Sequence, residues 1–247
     1  MNTTHKSIDT LLRQQFFSDP SCNNDIVMHY AECIAIIEKA IVVVSDLKDG
    51  WSRIFHGGFS DTLGLEGVAT EASIWEKEIL ERMSPAEQEE KYLAELRFFN
   101  FLRHIPRSKR DSYYLATHLR MTGRTGNIAD VLHRMHYWYE DGSDAIRFGI
   151  CIYGPMSFSL PSKSVVIDSL TGIWQELSSK CDDTILSIRE KQVLALIDKG
   201  LLSREIAQRL CISKNTVSRH RQEILAKLQV RNSTEACRKA KLLGIIN

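Results

Sequence analysis

The sequence predicts two folded parts: an α+β domain built on an antiparallel sheet, then a separate all-α domain of four short helices. Three observations predict them. Between Ala40 and Tyr153, two strand-like runs are followed by helical periodicity and then by three more strand-like runs, the order of an α+β domain. From Ser187 to Gly244, capping residues and apolar helical spacing recur with little loop between them. The charge also changes sign along the 247 residues. Residues 181–247 carry 13 Lys and Arg against 7 Asp and Glu, a net +6, while residues 1–180 carry 19 against 24, a net −5. A basic end on an acidic body suits a module that meets a polyanion, carried by a part that avoids one.

Residues 1–24 are polar, broken by Leu11-Leu12 and Phe16-Phe17, and read as a short helix and a loop. Asp25 is placed to cap a helix from Ile26 to Lys39, where Ile26, Val27, Tyr30, Cys33, Ile34 and Ile37 keep helical spacing. Such a helix packs on the sheet that follows or pairs with a second subunit; packing is the commoner outcome. Ala40 to Gly58 reads as two strands around a turn at Asp49-Gly50. Phe59 to Leu65 is a short helix stopped by Gly64, and helical periodicity returns from Ile74 to Leu80. Ser84-Pro85 with Glu87 starts a further helix. It runs through His104 with Tyr92, Leu93, Leu96, Phe99 and Phe101 as its apolar positions, and Pro106 ends it. Ser112–Thr122, Ile128–Glu140 and Ala145–Tyr153 are strands separated by turns at Gly123–Asn127 and Asp141-Gly142. Residues 156–183 connect the two parts. Within them Val165–Leu177 reads as a β-hairpin turning at Ser169–Gly172, which adds to the sheet or braces the helical domain. The polar Ser178–Asp183 follows.

In the last part, Ser187 and Glu190 form a Ser-x-x-Glu capping box. Val193, Leu194, Leu196 and Ile197 follow at helical spacing, and Gly200 stops the helix. Ser203 is a second cap, Ser213 a third, and Asn232 or Ser233 starts the fourth helix. The Cys211-Ile212 connection is too short for an antiparallel hairpin, so the chain turns sharply, as in a helix-turn-helix. Ala207 sits at the crossing and Val217 packs back on it. On a wheel of the third helix, Val217, Ile224 and Leu228 share one side. Asn215, Ser218, Arg219 and Gln222 share the other, all able to bond base edges or phosphates. Thr216, His220 and Lys227 lie on a flank suited to phosphates. With Ser203 and Lys214 they complete the candidate DNA-binding set. Arg221 falls near the apolar side and is left out.

The stretch from Ser187 to Gly244 resembles the LuxR-type helix-turn-helix family of bacterial transcription regulators. The matching residues are Ser187, Arg189-Glu190, Val193-Leu194, Glu205-Ile206-Ala207, Leu210, Ser213, Thr216-Val217, His220, Ile224, Lys227-Leu228 and Glu235-Ala236. The resemblance implies a dimer on inverted half-sites of double-stranded DNA. It also implies backbone contacts from Thr216, His220 and Lys227, and base reading from positions 218, 219 and 222. The family commonly has Lys at position 218, where this chain has Ser. Residues 38–155 resemble the PAS family of sensor domains through IVVVSDL, Gly57 to Leu65 and LRMTGRTGN. Gly57-Gly58 stands where many PAS domains have Asn. That resemblance implies a small ligand between sheet and helices, or dimerisation alone. The expected organisation is therefore an N-terminal helical extension (1–37), a PAS-like domain (38–155), a linker with a hairpin (156–183) and a DNA-binding domain (184–247).

Several classes of function are disfavoured. The six cysteines have no CxxC spacing, so neither a zinc site nor a disulfide framework follows. His118, His133 and His136 fall on strands, with His133 and His136 on opposite faces. No second ligand stands at a matching spacing, so no metal site is expected. No cofactor is expected beyond a small-molecule ligand of the PAS-like domain. There is no Gly-rich phosphate loop or nucleophile elbow, so the chain is not expected to be an enzyme. No apolar run nears the ~18 residues of a membrane span, and the N-terminus lacks a signal-peptide core, so the expected location is the cytoplasm of a prokaryote. The expected partners are DNA, a second copy of the chain and RNA polymerase. Three rivals remain: an acyl-homoserine-lactone receptor, a protein-interaction adaptor that does not bind DNA, and a two-component response regulator. The last rests on Asp46, which ends a strand as a phosphoacceptor would.

Overall fold

A computed structural model of the chain describes residue 12 and residues 24–65, 70–140, 142–177, 186–228, 230, 232–242 and 245–246. The expectations for residues 1–11, 13–23 and 178–185 lie outside them. The chain divides into two compact units, residues 8–176 and a second unit that takes in residues 177–247.

The first unit is an antiparallel sheet with helices. Its strands are β1 (Ile41–Asp46), β2 (Trp51–Phe55), β3 (Thr70–Glu71), β4 (Tyr113–Thr122), β5 (Ile128–Tyr139), β6 (Ile146–Pro155), β7 (Ser164–Asp168) and β8 (Trp174–Glu176). They lie in the order β3-β2-β1-β6-β5-β4-β7-β8. The helices are α1 (Asn24–Glu38), α2 (Phe59–Leu63), α3 (Lys77–Leu80), α4 (Pro85–Arg103) and α5 (Arg107–Arg110). The hairpin β7–β8 is an added sheet element, with β7 paired to β4 from Tyr113↔Asp168 to Thr117↔Ser164.

β1 is buried along its whole length, as a continuous apolar run requires when both faces of a strand are covered. On one face Val42, Val44, Phe148 and Ile152 pack under Val27, Ala31 and Ala35 of α1. An ion pair between Glu38 and Arg134 fastens the same helix to β5. α1 begins at Asn24, so Asp25 lies inside the first turn rather than at the cap. There its carboxylate still meets the positive end of the helix. Gly57 explains the departure at the Gly57-Gly58 pair. A Cβ on Gly57 would lie 2.3 Å from the carbonyl oxygens of Ala35 and Ala40, so the loop approaches α1 closely and only glycine fits.

One further expectation needs correction. Helical spacing from Ile74 gives a helix only over Lys77–Leu80; the segment before it is tied by its backbone to β1 and β2, with Ser45 and Ser52 donating to the Ile74 and Ser73 carbonyls. The buried face of α4 is not purely apolar. Lys91, Glu95 and Asn100 are buried beside Tyr92, Leu96 and Phe98. Ser84 caps the helix by accepting from the Glu87 N–H.

Asp46 is fully buried and ion-paired with Arg147 at 2.6 Å; Arg147 also reaches Asp49 at 2.9 Å. Burial raises the Asp46 carboxyl above its ordinary value despite the hydrogen bonds and the guanidinium around it. An antiparallel sheet with a sealed, paired Asp46 does not present a receiver's phosphoacceptor. Acetyl phosphate is expected to leave Asp46 unlabelled by mass spectrometry. Arg147→Ala is expected to destabilise this unit by about 3 kcal/mol in urea unfolding, because it strands a buried carboxylate; a loss below ~1 kcal/mol would contradict that role.

Candidate nucleic-acid interface

The second unit contains α6 (Ile188–Asp198), α7 (Ser203–Leu210), α8 (Lys214–Leu228) and α9 (Ser233–Leu242). α8 packs against the other three. Its buried side is Val217, Ile224 and Leu228, all at or below 1% exposure. Lys214, Asn215, Ser218, Arg219 and Gln222 are exposed. The wheel's division therefore holds in three dimensions, and among the described residues the exposed side is a run of polar hydrogen-bonding groups.

The turn that presents this side is built at Cys211, which adopts the left-handed region with φ 54°. The Ile212 N–H then donates to the Ala207 carbonyl at 3.0 Å. Ala207 and Val217 are both buried. Ser213 caps α8, its hydroxyl accepting from the Thr216 N–H at 3.0 Å and meeting the Thr216 hydroxyl at 2.8 Å. At the other end Lys239, buried, donates to the Leu228 carbonyl at 2.7 Å, a cation at the negative end of the helix.

Five of the candidate residues are engaged within the chain, Thr216 through the Ser213 hydroxyl. Ser203 is not the cap of α7. That place is Leu202, whose N–H donates to the Glu205 carboxylate at 2.7 Å. The Ser203 hydroxyl instead accepts from Arg221 at 3.1 Å, while the same guanidinium donates to Ser233 at 2.8 Å. Arg221 thus ties α7, α8 and α9 together. Sequence reasoning missed this brace; the signal was a guanidinium on the apolar flank of a helix wheel. His220 is 12% exposed and lies 3.3 Å from Glu223. Arg219 lies 3.5 Å from the other Glu223 oxygen, with both side chains well exposed, a pair that contributes little.

Lys227 is held most firmly. Its ammonium lies 2.7 Å from both oxygens of Glu190, a carboxylate only 3% exposed. The same carboxylate accepts from the Ser187 N–H at 2.6 Å, and Ser187 accepts from the Glu190 N–H. This is the expected capping box, with a lysine of α8 added to it. Burial by itself pushes the Glu190 carboxyl up, but hydrogen bonds from Lys227 and Ser187 outweigh it and hold it below the usual carboxylate value.

Residues 184–240 match the family described as bacterial regulatory proteins, luxR family. The chain is 33% identical over 88 residues to the uncharacterized response regulatory protein YgeK of Escherichia coli, covering 35% of this chain and 60% of that protein. It is 44% identical over 59 residues to the transcriptional regulatory protein DesR of Bacillus subtilis, covering 24% of this chain and 30% of that one. The chain thus spans less than two thirds of either relative. Among solved structures it is similar to the Vibrio cholerae VqmA dimer at 15% identity, covering 91% of this chain and 89% of that one, with a TM-score of 0.31. A likeness that loose bears on neither ligand nor assembly. The stretch that matches the family lies in the second unit.

Glu190→Gln is expected to destabilise the second unit by about 2 kcal/mol at neutral pH, the scale of a hydrogen-bonded charged group. Because folding lowers this carboxyl's pKa, its contribution is present above the unfolded value and lost as pH falls through the folded one. Urea unfolding of the full chain should therefore show the gap between wild type and variant narrowing as pH falls below about 4. A constant gap would contradict the assignment.

Proposed function

We propose that the chain is a sequence-specific, DNA-binding transcription regulator of the cytoplasm, acting as a homodimer on inverted half-sites. The carrying observation is the exposed polar side of α8 over a buried apolar side, in the unit that matches the luxR-family domain. α8 lies in the major groove with Asn215, Ser218, Arg219 and Gln222 towards the base edges. Lys214, Thr216 and His220 meet phosphates, with Ser203 at the flank. Lys227 reaches phosphate from its place beside Glu190, so the two anions share one ammonium. Phosphate contacts supply most of the affinity by counterion release.

The first unit is a PAS-like domain that senses a signal or sets dimer geometry. Its central strand order β2-β1-β6-β5-β4, with helices between β2 and β4, supports that reading. Ile26, Tyr30, Ile36 and Ile37 remain exposed on α1, which supports that helix as one candidate dimer surface beside the sheet domain itself and the last helix. RNA polymerase is the further partner such a regulator meets. Among the described residues no helix is long and apolar enough to cross a membrane.

Arg219→Ala is expected to relax sequence preference by about 1–3 kcal/mol, the value of a good bidentate base contact. Lys227→Ala should weaken specific and random DNA alike and flatten the salt dependence. Binding titrations on a preferred and a scrambled duplex at two salt concentrations separate these effects. Equal losses from Arg219→Ala on both duplexes would sink the assignment of a base reader.

A further inference from the structure

The core of the first unit holds a cluster that DNA binding leaves unused. Glu95 on α4, His133 on β5 and Cys151 on β6 each offer a donor atom, and these atoms lie within 4.8 Å of one another. All three side chains are buried. Tyr153 opposes His133 and Met135 opposes Cys151 across the β5–β6 ladder. His133 and Cys151 are therefore diagonal neighbours on one face. Glu95 meets them from the helix, its Oε1 4.0 Å from His133 Nε2. Among the described residues, neither ring nitrogen of His133 has a hydrogen-bond partner. A buried imidazole ordinarily satisfies both. Its ring is fixed by stacking on Tyr153 at 4.7 Å between centroids, so it cannot turn elsewhere without losing that contact.

The space beside the cluster decides what class of ligand fits. A cavity of about 20 Å³ is bounded in part by Glu76, Lys91, Glu95, Tyr137, Gly149 and Cys151. That is room for one water or ion, against the roughly 300 Å³ or more of a small-molecule pocket.

We propose that Glu95, His133 and Cys151 form a binding site for one divalent transition-metal ion of the zinc class. Carboxylate, imidazole and thiolate are a donor set such ions take, with tetrahedral bonds of ~2.0–2.3 Å. Bonds of that length put donor atoms roughly 3.5 Å apart, so the cluster closes by contracting about 1 Å at its widest. The small cavity, bounded by two of the three ligands, Glu95 and Cys151, has room for a water as the fourth.

Lys91 is the competitor. Its ammonium lies 2.7 Å from Glu95 and 3.4 Å from Glu76. With both carboxylates ionised, these three groups sum to one negative charge. The ion adds two positive charges, and Cys151 bonds it as a thiolate, releasing its thiol proton to solvent. The filled site is then neutral, and Lys91 remains with Glu76. The Glu76 oxygen is already oriented by the Tyr153 hydroxyl, which donates to it.

The test uses the full chain, stripped with a chelator and titrated with Co²⁺. The expected result is one Co²⁺ per chain with near-ultraviolet thiolate-to-metal absorption, displaced by Zn²⁺. Cys151→Ser should abolish the band, and His133→Gln should weaken binding at least ~10-fold. Cys33→Ser and Cys211→Ser, which replace thiols outside the core, should change neither. Circular dichroism shows which variants stay folded, and near-isosteric Glu95→Gln, also expected to bind more weakly, serves if Cys151→Ser or His133→Gln unfolds. No band in the folded wild type, or a band untouched by Cys151→Ser, would overturn the site. So would Co²⁺ binding without a thiolate band that disappears in His220→Ala, which puts the ion on the Glu190–His220–Glu223 group instead.

Discussion

The Glu190 carboxylate holds the helical unit together beside its exposed polar helix face. It closes the N-terminus of α6 through Ser187 and grips Lys227 near the end of α8. Arg221 adds a second tie, from α8 to Ser203 on α7 and Ser233 on α9. Base reading by side chains demands that a helix be held within about half an ångström of its productive position. These two ties lie on the sides of α8 that face its neighbours, and leave Asn215, Ser218, Arg219 and Gln222 exposed. A carboxylate on which a lysine and a helix cap both depend is a structural constraint first. It also lowers the charge that Lys227 offers to a phosphate.

The sheet unit follows a different logic. Its central strand is sealed on both faces, so polar groups on the inner side must satisfy one another or a guest. Asp46 does so with Arg147, and Lys91 with Glu76 and Glu95. His133 does not. A fully buried aromatic base without a hydrogen-bond partner is costly, and that cost marks the place where a bound ion fits.

The helical unit was largely legible because its signals are local. Capping residues, a sharp two-residue connection and a period of 3.6 each act within a turn or two, and Ser187, Glu190, Val217 and Ile224 lie where that spacing put them. Ser203 misled because two residues compete for the cap and its hydroxyl found a long-range partner in Arg221. The strands β1, β2 and β4 to β6 were legible from alternation and turn residues. β3 has only two residues and carries no periodicity. The inner cluster was hidden for a further reason. Lys91 and Glu95 are not among the apolar positions that spacing picks out on their helix, and His133 had no ligand at a matching spacing because Glu95 and Cys151 stand on two other elements. Sheet register brings them together, and register is a property of the whole fold.

The central claim is that α8 reads DNA sequence. The most direct measurement is selection of the purified full chain on a random-sequence duplex library, sequenced at two salt concentrations. An enriched pseudo-palindrome whose half-sites persist at the higher salt is the predicted result, since base contacts survive where phosphate contacts weaken. An absence of binding at low salt would contradict the account and favour a protein-interaction adaptor built on the same helices.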